Sequence, residues 1–296
     1  MRPIYKAWFC HIEVTNYCQK KCIYCSRWTG HLRDDQYFYS TLDEIENALE
    51  TLLPKKKGMI TWPNRIGIQG GEPTLHPQFK EICELLQKYD SKRRFGLWTY
   101  GGEYFKEYKS LIDKTFGMLA YNEHNKYQQN TCKHQPATVA IGEAVPDKKL
   151  RDALIDQCFV QLNWCPTIAR NKAYFCEVAY GIDTLFDLGC GWDLEYNWFE
   201  KVPGQFDDQV NSYCHMCGMP VPMERQLLCE KKELITPKIL KLMKKKKLKY
   251  TDENWVTVFD KKFTYDEIKE NLKVWDPRNF WGDRHPDNPN RYGIKI

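Results

Sequence analysis

Three thiols fall within eight residues, Cys18-Gln-Lys-Lys-Cys22-Ile-Tyr-Cys25, directly after the strand-like run Phe9-Cys-His-Ile-Glu-Val-Thr15. Three thiolates on one short loop can hold a metal centre and leave a coordination position open, whereas a structural zinc site closes with four ligands. An open position is where a reactant binds. Half of a zinc site and reduced thiols in a core are the competing readings. A second set, Cys165-x10-Cys176 and then Cys214-x2-Cys217, offers four thiols for one closed centre. Those four suit either an iron–sulfur cluster or structural zinc. The remaining cysteines (Cys10, Cys83, Cys132, Cys158, Cys190 and Cys229) are scattered and read as small buried hydrophobes.

The next candidate is Gly70-Gly-Glu-Pro-Thr74, which follows the apolar run Arg65-Ile-Gly-Ile-Gln69. Two glycines let backbone groups approach a ligand closely, and Glu72 can accept from an ammonium group. On its own the segment also reads as an ordinary strand-ending turn. By the two-residue period His11, Glu13 and Thr15 share one face of the first strand, and Gln69, Trp98, Glu143 and Asn163 fall at or near the ends of later ones. These polar positions are candidate substrate contacts, or satisfied structural groups.

The elements that must position these residues alternate short apolar runs with longer helical periods, the pattern of repeated βα units around a parallel sheet. Thr41-Leu-Asp-Glu44 is a capping box opening a helix that Pro54 stops. Pro77 opens a second helix, followed by a strand at 95–99, a third helix from Tyr104 to Ile112 and a fourth strand at 116–121. Thr138–Ile141 is expected as a fifth strand, 147–156 as a helix and Phe159–Asn163 as a sixth strand. The fold expected is therefore α/β: a partial (β/α)6 TIM-like barrel with a small C-terminal cluster domain and a helical tail. The domains divide as 1–158 (its sixth strand running to about 163), 159–230 and 231–296. The polar stretch 122–136 is long for a connection, and its His124, Cys132 and His134 are either plain solvated loop residues or candidate site residues. Thr236 and Thr264 each start a helix in the tail, and the last twenty residues read as an arm packing through Phe280, Trp281 and Tyr292.

The cysteine loop, with Tyr24 before its last thiol, resembles the signature of the radical S-adenosylmethionine (SAM) superfamily, and the Gly70-Gly-Glu-Pro73 turn one strand later resembles its GGEP motif. The resemblance implies that Cys18, Cys22 and Cys25 bind a 4Fe-4S cluster, which cleaves SAM to a 5'-deoxyadenosyl radical. It also implies that Gly70, Gly71 and Glu72 hold the SAM amino group and that Tyr24 contacts adenine. Thr99 is expected at the SAM site, with Tyr100 where many members have asparagine, and Asn122 at a ribose-contacting position. Residues 165–176 resemble the hairpin that opens the Twitch and SPASM extensions of the superfamily. A full SPASM domain has a further cysteine shortly after the C-x2-C pair, where this chain has Met223, so the resemblance is to Twitch with one auxiliary 4Fe-4S cluster. It covers about residues 9–225.

The 296-residue chain is 42% hydrophobic and 14% aromatic, enough for an ordered core. Thirteen cysteines, an odd number, with no apolar signal segment argue for a cytoplasmic protein that uses thiols for metal or redox work. No run approaches the roughly 18 apolar residues of a membrane span. Of the net charge of +5, residues 231–250 contribute nine lysines against one glutamate, so the rest is near −3. That run is read as a solvated helix face, with nucleic-acid binding as the alternative.

The resemblance thus implies a radical SAM oxidoreductase expected to take hydrogen from a polar small molecule, a sugar or aminocyclitol, with a flavodoxin or ferredoxin as reductant. Oxidation is the expected outcome. Epimerisation, with Cys132 or Cys190 as hydrogen donor, and peptide modification are alternatives. A metal-stabilised nucleic-acid-binding module is a further one.

Overall fold

The computed structural model describes residues 1–121, 135–163, 165–223 and 232–275. His124, Cys132, His134, Asn122, Cys229 and the C-terminal aromatic residues Phe280, Trp281 and Tyr292 lie outside the described residues, as does the side chain of Asn163.

Four βα-type strands come first: β1 (Phe9–Thr15), β2 (Arg65–Gly70), β3 (Phe95–Thr99) and β4 (Met118–Tyr121), connected through α1 (Leu42–Leu52), α2 (Phe79–Tyr89) and α3 (Lys109–Thr115). All neighbours among them are parallel. The Thr41 hydroxyl accepts from Glu44 N–H, and the Glu44 carboxylate accepts from Thr41 N–H, so the expected capping box starts α1. The third helix begins at Lys109, later than Tyr104.

Neither the fifth nor the sixth expected barrel strand forms: residues 138–140 are a turn leading into a helix, and Phe159–Asn163 is itself helical. Residues Ile141–Ala144 form α4, Lys148–Asp156 form α5 and Phe159–Asn163 form α6. Short apolar runs do not distinguish a buried strand from a buried helical turn by period alone. The sheet is instead completed by the hairpin β5 (Thr167–Ala169) and β6 (Lys172–Tyr174), followed by α7 (Glu177–Phe186) and β7 (Trp192–Asp193). Strand order is β4-β3-β2-β1-β5-β6-β7, with β5 parallel to β1 and the last two pairings antiparallel. The helix α8 (Asp207–Tyr213) follows. A second, two-stranded sheet of β8 (Glu233–Ile235) and β9 (Val256–Val258) carries α9 (Pro237–Lys245) between its strands, and α10 (Tyr265–Val274) ends the described chain. No described helix is long and apolar enough to cross a membrane.

The two faces of the main sheet differ in chemistry. One carries Cys10, Ile12, Val14, Ile66, Ile68, Phe95 and Leu97, packed on Ile45, Leu49 and Leu52 of α1 and Phe79, Ile82 and Leu86 of α2. The other face, by register, carries His11 and Glu13 of β1, Gln69 of β2, Trp98 of β3 and Thr167 of β5. A parallel sheet covered on both faces is ordinarily apolar on both. Here one buried face is polar, and that face holds the candidate site.

Candidate active site

The cysteine loop leaves the C-terminal end of β1 and is seated on the turn that leaves β2. Gly71 N–H donates to Thr15 O at 2.8 Å and Glu72 N–H to Tyr17 O at 2.9 Å. A Cβ on Gly70 would lie 2.1 Å from Thr15 O, and one on Gly71 2.2 Å from Tyr17 O. Only glycine permits this approach, so the two motifs form one structural unit.

Within the loop, Cys18, Cys22 and Cys25 are half-buried neighbours. Burial raises the Cys18 thiol well above its ordinary value, and Cys25, Cys22 and Glu72 push it the same way. Burial and Cys25 push Cys22 up to about 12. Three thiols crowded together on one loop are a donor set that a soft cation would complete. Tyr24 and Trp28 flank Cys25 at φ +59° and +49°, a strained conformation for aromatic residues, and both are buried. The Tyr24 ring is packed in a second core cluster, and its hydroxyl oxygen accepts from Leu234 N–H of β8 at 3.1 Å.

Glu72 is wholly buried. Its Oε1 accepts from Thr74 Oγ1 (2.6 Å), Thr99 Oγ1 (2.7 Å) and Thr74 N–H (3.1 Å), and its Oε2 accepts from Tyr100 N–H (2.9 Å). Burial raises its pKa, opposed by these same donors. The carboxylate therefore ties the ends of β2 and β3 together, and Oε2 keeps a lone pair for a further donor. Thr99 Oγ1 also accepts from Gly101 N–H at 2.9 Å.

Beside this unit the polar face carries a buried cluster. Arg27 Nε and Nη2 donate to Glu13 Oε1 at 3.0 and 2.9 Å, and Arg27 Nη1 lies 2.9 Å from Glu177 Oε2. His11 Nδ1 lies 3.2 Å from Arg27 Nη2, and its Nε2 lies 3.4 Å from Cys165 Sγ. Burial lowers His11 to about 4, so the ring is neutral at pH 7. Nδ1 also lies 3.4 Å from Glu177 Oε2, so the imidazole is held between Arg27, Glu177 and Cys165. Burial pushes Arg27 and Glu177 toward neutrality, but mutual attraction wins: Arg27 rises and Glu177 falls from their ordinary values. For Glu13 burial outweighs Arg27 and the pKa is raised. His11, Cys165 and Glu177 bring three possible ligand atoms within 4.8 Å of one another. The Arg27 guanidinium already neutralises that pocket, which argues against a metal ion there. The His11 ring also meets Trp98 edge-on at 4.6 Å, over space that Gly67 leaves free. Buried oxygens on this face, Glu13 Oε2, Gln69 Oε1, Thr167 Oγ1 and Glu177 Oε1, have no protein partner among the described residues.

The second thiol set differs from the expected one. Cys214 neighbours Cys158, Cys217 and Cys176, and these four line one small cavity with apolar residues that include Phe175 and Met219. Cys165 is not among them; it has turned to His11. Cys158 precedes α6 and Cys176 is the N-cap of α7. Backbone N–H groups of Val160 and Gln161 point at the Cys158 sulfur, and those of Val178 and Ala179 at the Cys176 sulfur. Such donors favour thiolate over thiol, although burial keeps all four pKa values high without a cation. The Cys214–Cys217 turn is fixed by Ile141 N–H donating to Cys217 O (3.0 Å) and Gly218 N–H to Ala137 O (2.8 Å).

Other sequence candidates lie elsewhere. Glu143 is in α4, where its carboxylate accepts from Lys238 and Ile239 N–H and caps α9. Cys190 is half-buried before β7, its Sγ 3.6 Å from Leu188 O, at the far edge of the sheet. Sequence reasoning missed Arg27 and Glu177, whose place on the polar face depends on the packing of α7. Gly181 allows that packing, since a Cβ there would lie 2.7 Å from Ser26 O.

Among curated proteins, GTP 3',8-cyclase of Actinobacillus succinogenes is 28% identical over 94 residues, 32% of this chain and 26% of that protein. The match thus spans about a quarter of that relative's length. Among solved structures, BtrN in complex with AdoMet and 2-DOIA aligns at 14% identity over 73% of this chain and 89% of that one, with a TM-score of 0.44. An open conformation of SeMet BtrN aligns at 14% identity over 75% and 90%, with a TM-score of 0.40. The family model of the Radical SAM superfamily matches residues 12–118, from β1 to the start of β4, so this part of the chain is a radical SAM domain.

Proposed function

We propose that the protein is a radical SAM oxidoreductase acting on a polar small molecule of the sugar or aminocyclitol class. The carrying observation is the seating of the Cys18–Cys25 loop on the Gly70–Glu72 turn, beside a buried polar sheet face. Cys18, Cys22 and Cys25 would hold a 4Fe-4S cluster, and the remaining lone pair of Glu72 Oε2 would accept from the SAM amino group. Bound together, cluster and SAM supply a 5'-deoxyadenosyl radical able to remove hydrogen from carbon.

The chain's own residues hold the substrate and exclude water. The orphaned oxygens of Glu13, Gln69 and Thr167 favour a partner rich in hydroxyl or amino donors, since a buried acceptor without a donor costs about 1–3 kcal/mol. Trp98 and His11 wall this face, and Arg27 holds Glu13 and Glu177 in place. Cys158, Cys176, Cys214 and Cys217 suit an auxiliary 4Fe-4S cluster whose irons are all protein-ligated, a centre fit for moving an electron.

Anaerobic reconstitution followed by measurement of 5'-deoxyadenosine tests the reading. Wild type is expected to form it with dithionite as reductant, and a variant with Cys18, Cys22 and Cys25 all replaced by Ala is expected to form none while keeping the auxiliary iron. Turnover in that variant would remove the radical SAM assignment of these thiols.

A further inference from the structure

The lysine-rich segment has no part in the site described above, yet it lies against the cysteine loop. Lys249 N–H donates to His31 O at 3.0 Å, and Arg33 Nη1 donates to Lys246 O at 3.2 Å. Lys21, the residue before Cys22, puts its Nζ 4.2 Å from the Tyr250 ring centroid and 5.6 Å from that of Trp255. The segment is therefore anchored within one residue of a thiol of the open set.

α9 buries Ile239, Leu240 and Met243 and turns its lysines outward. Lys238, Lys241, Lys244 and Lys245, and Lys247 just beyond, are exposed, and none forms an ion pair with a described acidic residue. Lys246 and Lys249 differ, pairing with Asp187 and Asp34. Lysines three and four apart on one helix repel one another, so this face costs the helix stability that alternating signs would have returned. A surface of one sign beside an otherwise slightly acidic molecule steers a partner of the opposite sign.

We propose that the exposed lysine face of α9 and the turn after it are the docking surface for an acidic electron-carrier protein of the flavodoxin class. This rests on the radical SAM reading, which requires one electron delivered from outside: the carrier is oxidised by one electron and the centre at Cys18, Cys22 and Cys25 is reduced by one. Electron-transfer partners use small, charge-steered interfaces, which suits a lysine face on one nine-residue helix. Nucleic acid fits less well. The exposed face of α9 carries no arginine to fork onto phosphate, and Tyr250 and Trp255 are engaged with Lys21 and with each other, at 4.4 Å between centroids.

The test is direct binding of full-length protein to purified flavodoxin by calorimetry, at low and moderate salt, for wild type, the triple variant K241E/K244E/K245E and the neutral K241Q/K244Q/K245Q. The dissociation constant is expected to rise at least tenfold in the Glu variant and by less in the Gln variant, with a shallower salt dependence in both. Melting temperature and dithionite-driven SAM cleavage should match wild type, while flavodoxin-driven cleavage slows. Unchanged flavodoxin affinity in both variants would overturn the docking surface. Wild-type binding of a mixed-sequence RNA or DNA oligonucleotide, lost in the Glu variant while flavodoxin affinity stays the same, would reassign the face to nucleic acid. A wild type that cleaves no SAM even with dithionite is a different failure, that of the radical SAM reading itself.

Discussion

Cys165 Sγ lies 3.4 Å from His11 Nε2, wholly buried on the polar face of the sheet, while Cys158 joins Cys176, Cys214 and Cys217. By spacing alone Cys165 looks like the partner of Cys176, because ten residues form a short hairpin between them. The hairpin does form, but it joins the sheet through β5 beside β1, which draws Cys165 toward His11.

The exchange is measurable. Cys158→Ala is expected to lower the iron content of reconstituted protein from about eight toward four, with Cys165→Ala remaining near eight, because removing a thiolate leaves one iron of the closed set without its protein ligand and weakens the hold on that cluster. Iron and sulfide analysis with Mössbauer spectroscopy reads both. Loss of four irons in Cys165→Ala and none in Cys158→Ala would restore the spacing-based set. Stoichiometric zinc in place of the second four irons would make the set structural.

Glu72→Gln separates the structural from the ligand-binding role of that side chain. The amide nitrogen cannot accept, so one of the four donors around Glu72, most directly Tyr100 N–H, loses its acceptor. A stability loss of about 1–3 kcal/mol is expected for an orphaned buried donor, measured by urea unfolding of the metal-free protein. Wild-type stability in the variant would show that the carboxylate is not the tie between β2 and β3.

Legibility in the sequence followed the range of the interactions. The capping boxes at Thr41 and Thr264 involve residues three apart, and both form as read. The alternation of β1 puts His11 and Glu13 on one face as read, and the sheet register brings Gln69 and Trp98 to that same face. Thr138–Ile141 and Phe159–Asn163 failed because four or five apolar-rich residues carry no decisive period. The helical form of Phe159–Asn163 puts Cys158 at the start of α6, a position the strand assignment hid. Arg27 and Glu177 meet across 150 residues of chain. Nothing local marks such a pair.

The tail's hold on the cysteine loop should depend on pH through His31. Its Nδ1 faces Lys249 O at 2.9 Å and its Nε2 faces Glu233 Oε2 at 2.8 Å, two acceptors that together call for the doubly protonated ring. Burial opposes that charge, but Glu233 and the Lys249 carbonyl raise the pKa above its ordinary value. A raised histidine pKa contributes stability in full below the unfolded value of about 6.5, and loses it as pH climbs through the folded value. His31→Gln is expected to cost about 3–5 kcal/mol at pH 6, the usual cost of breaking a buried pair. The gap in melting temperature between wild type and variant should then narrow toward pH 9. A gap independent of pH would mean that the ring is neutral throughout.

The direction of the chemistry turns on Cys165. Once hydrogen has left the substrate, the remaining radical either loses an electron, giving a two-electron oxidation, or takes a hydrogen atom, giving an epimer. A closed four-thiolate centre at Cys158, Cys176, Cys214 and Cys217 would suit electron removal, so oxidation is expected. The competing outcome needs a thiol facing the substrate. Cys190 sits at the far edge of the sheet, and Cys132 lies outside the described residues. Cys165, by contrast, is buried on the polar face, its Sγ 3.4 Å from His11 Nε2. Running the reaction in deuterated water decides. Oxidation gives a product two hydrogens lighter with no solvent deuterium on carbon, formed equally by Cys165→Ala. A product of unchanged oxidation state carrying one solvent deuterium, absent from Cys165→Ala but still formed by Cys190→Ala, would make the protein an epimerase with Cys165 as its hydrogen donor.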